Sequence, residues 1–501
     1  QSMAEVAQAL APYIAASSPS FQALRNTSTW HGGQLATMTR LPPRRRVLPW
    51  LVAGAAVLSL LVVGLIGFAT GWFHPNAQQA AQHRDASPSD TKTAASPADS
   101  GKSKSADEPN VLTVSQKPED GGKYRTIGEA LDKVAAGQTI RVVDAATYRE
   151  QVLLNRPSSH NGVALEAVRG ATLEITANGT TAFEVSGVTG VTIRGFLLRA
   201  AGTQSCALVY VHEHGTEVLL ERLDMGPGPQ GGAFNGIEVQ DVEEDDHTGR
   251  PSVTVRDCVF RKAQCGINVI GIQGDYSRAT PVRGLAARSN EFIDCSWGVT
   301  LKGSLQHVQV IGNRFRGCLR TACQLEQLLP ETNDVLVANN TAVECNNALR
   351  VWDAKIRTSG VRCQNNLSLG APYPDALFFD SGGSPLNAKG FGDSAALLER
   401  WSFRCNWRET KRPAKSPSEP DGWIPPGKED VLSDKIEGVN RDPKSPDFLR
   451  PDKNSPLATQ GAGTKDGSLP AYIGALPCEG TPPWDWDRTW RARVHETGDK
   501  K

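Results

Sequence analysis

The sequence has no cysteine before Cys206, no C-x-x-C pair among its ten cysteines, only three methionines, few aromatic residues and no net charge. Each shortage removes a class of protein. Without C-x-x-C spacing, a structural zinc site of the ribbon or finger type is not expected. With 54 basic against 54 acidic side chains there is no global basic field, so nucleic acid is not an expected partner. An aromatic fraction of 6% beside 48 glycines suits a repetitive strand-and-turn protein better than a helical one. The chain also lacks a starting Met, and its first residue falls inside a helical pattern, which reads as part of something longer.

What is present is a repeat. Val253–Phe260, Ala286–Phe292, Val308–Phe315 and Asp334–Thr341 are copies of one short apolar strand ending in a polar turn. After each comes a second apolar strand, beginning near Gly266, Gly298, Thr321 and Ala348. Phe260, Phe292 and Phe315 are 32 and 23 residues apart, and Ala342 and Ser368 continue the column at offsets of 27 and 26. Strands this short cannot bury a face alone, so periods of this length mean stacked coils.

The chain before the repeats divides into four stretches. Ser2 and Glu5 have capping-box spacing, with Met3, Val6, Leu10, Tyr13 and Ile14 at helical intervals behind them. This run, Gln1 to Tyr13, resembles the last helix of bacterial Hanks-type serine/threonine kinase domains. It is assigned to residues 1–14 as the end of a kinase-like C-lobe. None of the kinase's working motifs is in the sequence, so this chain is not expected to phosphorylate anything. Residues 15–46 form a polar juxtamembrane segment. Arg44, Arg45 and Arg46 then precede an uncharged run over 47–73 with Trp50 and Trp72 near its ends. A helix of roughly 20 apolar residues crosses a ~30 Å hydrocarbon core. The arginines place the N-terminal side in the cytoplasm. A signal peptide is the competing reading, and the run is long for one. Residues 74–110 hold almost no large apolar side chain and read as a disordered tether.

Thr126 and Glu129 form a second capping box, with Ile127, Ala130, Leu131 and Val134 on one face and Gly137 placed to end the helix. Such a helix would cover the open end of an apolar coil and block edge pairing. The strands Thr139–Val143 and Thr147–Leu154 follow. The stretch from Tyr124 to Leu154 resembles the opening of pectin-methylesterase-like right-handed parallel β-helices, in the pectin lyase-like superfamily. With the repeats, the resemblance implies an all-β, right-handed parallel β-helix over 111–383 with an N-terminal capping helix. Residues 384–501 follow as a final partial rung (Trp401–Trp407) and a C-terminal capping tail. Trp484, Trp486 and Trp490 in that tail suit packing, and sugar binding is the other reading.

Alternation sends Ile237, Val239, Ile267, Val269, Val299, Leu301, Leu349, Val351, Leu377 and Phe379 inward. Asn290, Asn313, Asn340 and Asn366 recur at a turn, where Asn tolerates left-handed dihedrals and can bond to its copy one rung away. Cys295, Cys318 and Cys345 should stack as buried thiols, with one disulfide, Cys405 to Cys478, as a lesser alternative.

The outward stack consists of Glu238, Asn268, Thr300, Gln324, Arg350 and Phe378. Beside it run Gln240, Ile270, Lys302, Glu326, Trp352 and Asp380. Gln324 and Glu326 belong there only if their rung slips to bury Cys323 and Leu325. The candidate groove is Lys302, Glu326, Arg350, Trp352, Asp353 and Asp380: charges to fix a polar saccharide and an indole to stack on it. A solvated face of cross-rung ion pairs is the ordinary alternative. The superfamily's pectin esterases carry their catalytic residues in motifs that are absent here, and its lyases need clustered carboxylates and a base, for which only Arg350 is near. Two weaker metal candidates are the acidic run Glu243 to Asp246 with His247, and His212 with His214 on one strand face. No cofactor, metal or catalytic residue is assigned. The leading expectation is a membrane-anchored sensing or interaction domain outside the cytoplasmic membrane, linked to a serine/threonine kinase, with an envelope polysaccharide or a protein as partner and dimerisation left open. A surface-attached polysaccharide lyase or esterase, and a structural adhesion module, are the alternatives.

Overall fold

The computed structural model describes residues 110–480, apart from 177–179, 202–205, 228–232, 244–249, 274–277, 280, 353–357, 372–374, 379–393, 411–423, 425 and 464–468. The expected kinase-like tail, the apolar run over 47–73, the linker, Asp353, Phe379, Asp380 and the three C-terminal tryptophans lie outside the described residues. No described helix is long and apolar enough to cross a membrane.

Each repeat contributes one strand to each of three parallel sheets. Among the described residues the first and second sheets have 11 strands each, and the third has nine in its parallel stack with a tenth, Arg278–Ala279, pairing antiparallel at its side. The middle coil shows the plan: Val253–Arg256 in the first sheet, Val259–Arg261 in the second, Cys265–Gln273 in the third, then Val282–Arg288 one rung on in the first. The result is a right-handed parallel β-helix. A single apolar core runs its length, from Leu112 to Ile424.

Register follows the sequence columns. Phe260 pairs with Phe292, Phe292 with Phe315, Phe315 with Ala342, and Ala342 with Ser368. The phenyl rings stack at centroid distances of 4.7 and 4.6 Å, nearly parallel. Room for them comes from the third sheet. A Cβ on Gly266 would lie 2.4 Å from the Phe292 ring, and one on Gly298 would lie 2.4 Å from the Phe315 ring. Where the column changes to Ala342, the glycine position becomes Ala322.

The asparagine turn is where expectation and structure differ in mechanism. Asn290, Asn313, Asn340 and Asn366 do form a buried ladder: each amide donates to the side-chain oxygen of the next and to a backbone carbonyl. The left-handed dihedral, however, belongs to the residue before each, Ser289, Gly312, Asn339 and Asn365. That preceding residue turns the chain, and the ladder asparagine is thereby aimed into the core. The ladder also runs two steps further, to Asn406 and then Asp430. Asp430 suits the end position because a carboxylate only accepts: Asn406, Gly427 and Arg408 all donate to it.

The helix Ile127–Leu131 begins with the full Thr126–Glu129 capping box and buries Ile127, Ala130 and Leu131. It stops well before Gly137, which instead turns the chain at φ 76° into the strand Thr139–Val142. Beyond residue 383 the coil continues through Ser402–Arg404, Trp407–Thr410 and one more strand, Val431–Ser433. The tail then crosses the outside of the coil. Ile436, Leu449, Leu457 and Ile473 pack on Leu367 and Leu369, and Asn339 and Asn365 donate to the carbonyls of Tyr472 and Pro470.

The cysteines are free thiols, Cys405 and Cys478 included, so the alternative disulfide is not formed. Cys295, Cys318 and Cys345 are buried, and the Cys318 amide donates to Cys345 Sγ at 3.4 Å. Burial pushes the thiols of Cys265, Cys295 and Cys323 up to about 12, which leaves them as inert small hydrophobes.

Candidate functional site

Strand alternation leaves one row of side chains per rung on the outside of the third sheet. The pairing of Glu184 with Tyr210, Tyr210 with Glu238, Glu238 with Asn268, Asn268 with Thr300, Thr300 with Gln324, and Gln324 with Arg350 makes one column. Beside it, Gln240, Ile270, Lys302, Glu326 and Trp352 make a second. The pairing shows the slipped rung, with Cys323 opposite Val299, Leu325 opposite Leu301 and Gln324 opposite Thr300, although Gln324 and Thr300 are themselves buried. The last rung differs. Arg350 pairs with Ala376 and Trp352 with Phe378, so Phe378 belongs to the second column and not beneath Arg350. The expectation put 28 residues in this rung, whereas Arg350 to Ala376 is 26, the same as Gln324 to Arg350 above it.

The C-terminal end of the groove is basic and aromatic. Lys302 Nζ lies 3.3 Å from Glu326 Oε1, and Gln324 donates to Glu326 Oε2 at 2.7 Å. Trp297 Nε1 donates to Gln324 Oε1 at 3.2 Å. Two guanidinium groups lie over indoles, Arg320 at 4.6 Å from the Trp297 ring and Arg350 at 4.3 Å from that of Trp352. Burial lowers Arg350 to about 10, with Glu326 opposing and Arg320 reinforcing the shift. Of the six residues expected from sequence, Lys302, Glu326, Arg350 and Trp352 come together here. Among the described residues of this end, three cations face the single carboxylate of Glu326.

The opposite end is acidic. Tyr210 and His212 stack with ring centroids 4.2 Å apart, and the Tyr210 hydroxyl donates to Gln240 at 2.9 Å. His212 Nε2 is 3.2 Å from Glu184 Oε1, and Gln151 donates to Glu184 Oε2 at 3.2 Å. One rung beyond Tyr210, Glu238 Oε2 accepts from both Asn235 and Asn268, at 3.4 and 3.3 Å. Burial raises the Glu238 carboxyl above the usual carboxylate range, against the pull of the two amides. Burial, with Glu238 and Glu184 adding to it, pushes Tyr210 up to about 12.

Sequence reasoning missed Tyr210, Glu184 and Glu238 as a set, and Trp297 with Arg320. The first three share column spacings of 26 and 28 residues that lay in plain view. Trp297 and Arg320 stand where strands meet turns, and alternation says nothing there. The histidine pair dissolves: His212 ends its strand, whereas His214 is in a turn at φ 63° and faces Glu243 at 3.6 Å. In the acidic run, residues 244–249 lie outside the described residues.

No family model matches the sequence, and no curated protein matches it. Solved structures do. Pectate lyase Pel9A aligns with a TM-score of 0.43 and 12% identity, over 74% of this chain and 96% of that one. A rhamnogalacturonan lyase aligns at 0.32 and 10%, over 73% and 96%. The endo-xylogalacturonan hydrolase from Aspergillus tubingensis aligns at 0.31 and 15%, over 55% and 98%. The chain's own sheet topology makes it a parallel β-helix, and at these identities and scores the alignments add nothing to that about its role.

Proposed function

We propose that this protein engages an acidic polysaccharide laid along the third sheet, with its anionic groups at the basic end of the groove. The observation that carries the reading is Arg350, half-buried and stacked on Trp352 one rung from Gln324 and Glu326, with Lys302 and Arg320 close by. Burial strips water from this guanidinium while leaving it charged at neutral pH, so an incoming carboxylate offsets the lost hydration. The indole beside it offers a flat face to a sugar ring. A strand spacing of ~4.8 Å presents such groups at intervals an extended chain can follow.

Binding to immobilised uronic polysaccharides, with neutral glucans as controls, tests the reading. Arg350→Ala and Trp352→Ala are each expected to weaken binding by roughly 10- to 100-fold, from ~1.5–3 kcal/mol for a charged hydrogen bond or a desolvated stacking contact. Equal affinity for neutral and acidic glycans, or unchanged binding in both variants, would overturn it. A second reading, β-elimination, would take Arg350 as its base, from its place in the groove over Trp352 and one rung from Gln324. It requires an ultraviolet-absorbing unsaturated product whose rate of formation climbs with pH.

The location proposed is the outer face of a membrane, anchored through 47–73 and downstream of the kinase-like tail. This part rests on the sequence alone. Protease protection of the coil in sealed, right-side-out vesicles would count against it, and an upstream reading frame without kinase motifs would remove the signalling role.

A further inference from the structure

The phenyl column inside the coil stops before the coil does. Phe260, Phe292 and Phe315 stack ring on ring, but the next positions of the same inward column are Ala342, Ser368 and Arg408. Across the core, one residue before the in-register Ile267, Val299, Cys323 and Leu349, the column of Gly266 and Gly298 continues as Ala322 and Ala348. Two added methyls refill less space than two absent rings leave, so the core is short of volume at these rungs. The walls cannot close in, because the ladder through Asn340, Asn366 and Asn406 and the parallel sheets hold each rung in place. Here lies a cavity of about 40 Å³ whose walls include Phe315, Ala322, Ala342, Ala348, Leu349 and Ser368.

Ser368 gives this space a chemical preference. The residue is 3% exposed, and its hydroxyl has no hydrogen-bond partner among the described residues. A hydroxyl stranded in a core is unfavourable, and a partner brought in from outside would relieve it. The other polar groups on the walls are committed. The oxygens of Asn340, Asn366 and Asn406 each accept from a backbone and a side-chain amide of the rung before. Their own amides donate along the ladder and to the carbonyls of Val310, Val337 and Cys363. Arg408 is paired with Asp430 at 2.6 Å, both almost fully buried, so a charged ligand would have to compete with an ion pair already made.

Water is a poor occupant. At roughly 10–15 Å³ each, about three molecules would enter, and each needs two to four polar partners. Apolar walls and committed amides do not supply them.

We infer that the coil interior at these rungs is a binding site for a small uncharged molecule with a single hydroxyl, of the size of a short-chain alcohol. Its oxygen bonds to Ser368 Oγ, and its carbons fill the space left beside Ala342 and Ala348 below the Phe315 ring. The site is separate from the groove and does not rest on the polysaccharide reading: Leu349 lines the cavity, whereas Arg350 stands on the opposite face of the same strand. With about four heavy atoms, a ligand of this class binds no more tightly than roughly 40 μM.

Propan-2-ol is the probe, titrated into the full chain carrying ¹³C-labelled alanine methyls. Xenon, which enters apolar cavities and makes no hydrogen bond, is the second probe. Saturable shifts of the Ala322, Ala342 and Ala348 methyls are expected with both. Ser368→Ala, which removes one oxygen, should weaken propan-2-ol by roughly 3- to 10-fold and leave xenon unaffected. Ala342→Leu fills the space and should abolish saturable shifts of the Ala322 methyl with either probe; Ala348→Val, a smaller addition, does the same should Ala342→Leu not fold. Shifts that never saturate, equal propan-2-ol affinity in Ser368→Ala, or binding that survives the filling substitution would each overturn the site. So would a crystal soaked in propan-2-ol that keeps ordered waters on Ser368 in place of the alcohol.

Discussion

Replacing Asn313 by Ala would remove one step from the middle of the asparagine ladder, and the structure fixes what is lost. Asn313 is fully buried. Its amide donates to the Ala287 carbonyl and to Asn340 Oδ1, both at 3.0 Å. Its own oxygen accepts from the backbone and the side chain of Asn290, again at 3.0 Å each. Alanine therefore orphans two donors on Asn290, each worth ~1–3 kcal/mol when stranded in a core, for an expected destabilisation of about 4 kcal/mol. The backbone N–H of residue 313 still donates to Asn340 Oδ1 after the side-chain bond is lost, so the damage should point one way along the coil, toward the Asn290 rung. Hydrogen exchange read by mass spectrometry over the segment containing Asn290 checks this directly, without assuming two-state unfolding in a solenoid. Asn333→Ala is the control, because that exposed amide makes one 3.4 Å bond to the Glu331 carbonyl and should matter by less than ~0.5 kcal/mol. Unchanged protection at Asn290, or a loss in Asn313→Ala no larger than in the control, would refute the view that the ladder satisfies the core side of this turn.

Two further outcomes are expected. Gly266→Ala would drive a methyl to 2.4 Å from the Phe292 ring and 2.7 Å from the Gly298 carbonyl, costing about 1–3 kcal/mol; combined with Phe292→Ala the loss should be less than additive, since Ala322 and Ala342 already form such a pair, and strict additivity in a denaturation cycle would sink the close-packing account. Because burial raises the Glu238 carboxyl, the folded state binds this proton more tightly than the unfolded chain, so its contribution is intact below the unfolded carboxylate range and is lost as pH rises through the folded value. Glu238→Gln, which cannot ionise, should therefore match the parent in acid and exceed it in thermal stability at neutral and alkaline pH, and the opposite trend would show the carboxyl to be stabilised as an anion.

The groove's ordinary alternative, a solvated face of ion pairs, describes a different sheet better. On the first sheet Arg141, Glu166, Arg194, Glu221 and Arg256 alternate in sign down one column. The glutamates of these pairs are buried and the arginines half-exposed, and what the column gives is register, because a slip by one rung sets like charges opposite. The third sheet has no such alternation. Its like charges are segregated toward opposite ends, an arrangement that favours a ligand spanning rungs over neighbour pairing.

The sequence by itself determined the coil. Side-chain alternation with period two and the 23-to-32-residue recurrence of Phe260, Phe292, Phe315, Ala342 and Ser368 are enough to set which residues face inward and which rung lies on which. Four residues of the basic groove followed from that, because a parallel in-register stack makes column position a matter of counting. Counting fails wherever a loop changes length. Thus Asn406 was not seen as a further step of the ladder, its offset of 40 from Asn366 breaking the run, and Asp430 beyond it was lost with it. Only the tertiary structure could show that the residue before each ladder asparagine carries the left-handed turn, since a dihedral is set by what the chain must pack against. It alone separates Glu238 from Glu184 as well. The two are the same residue type in the same column, and what distinguishes them is burial, which is set by neighbouring rungs and leaves no mark in the local sequence.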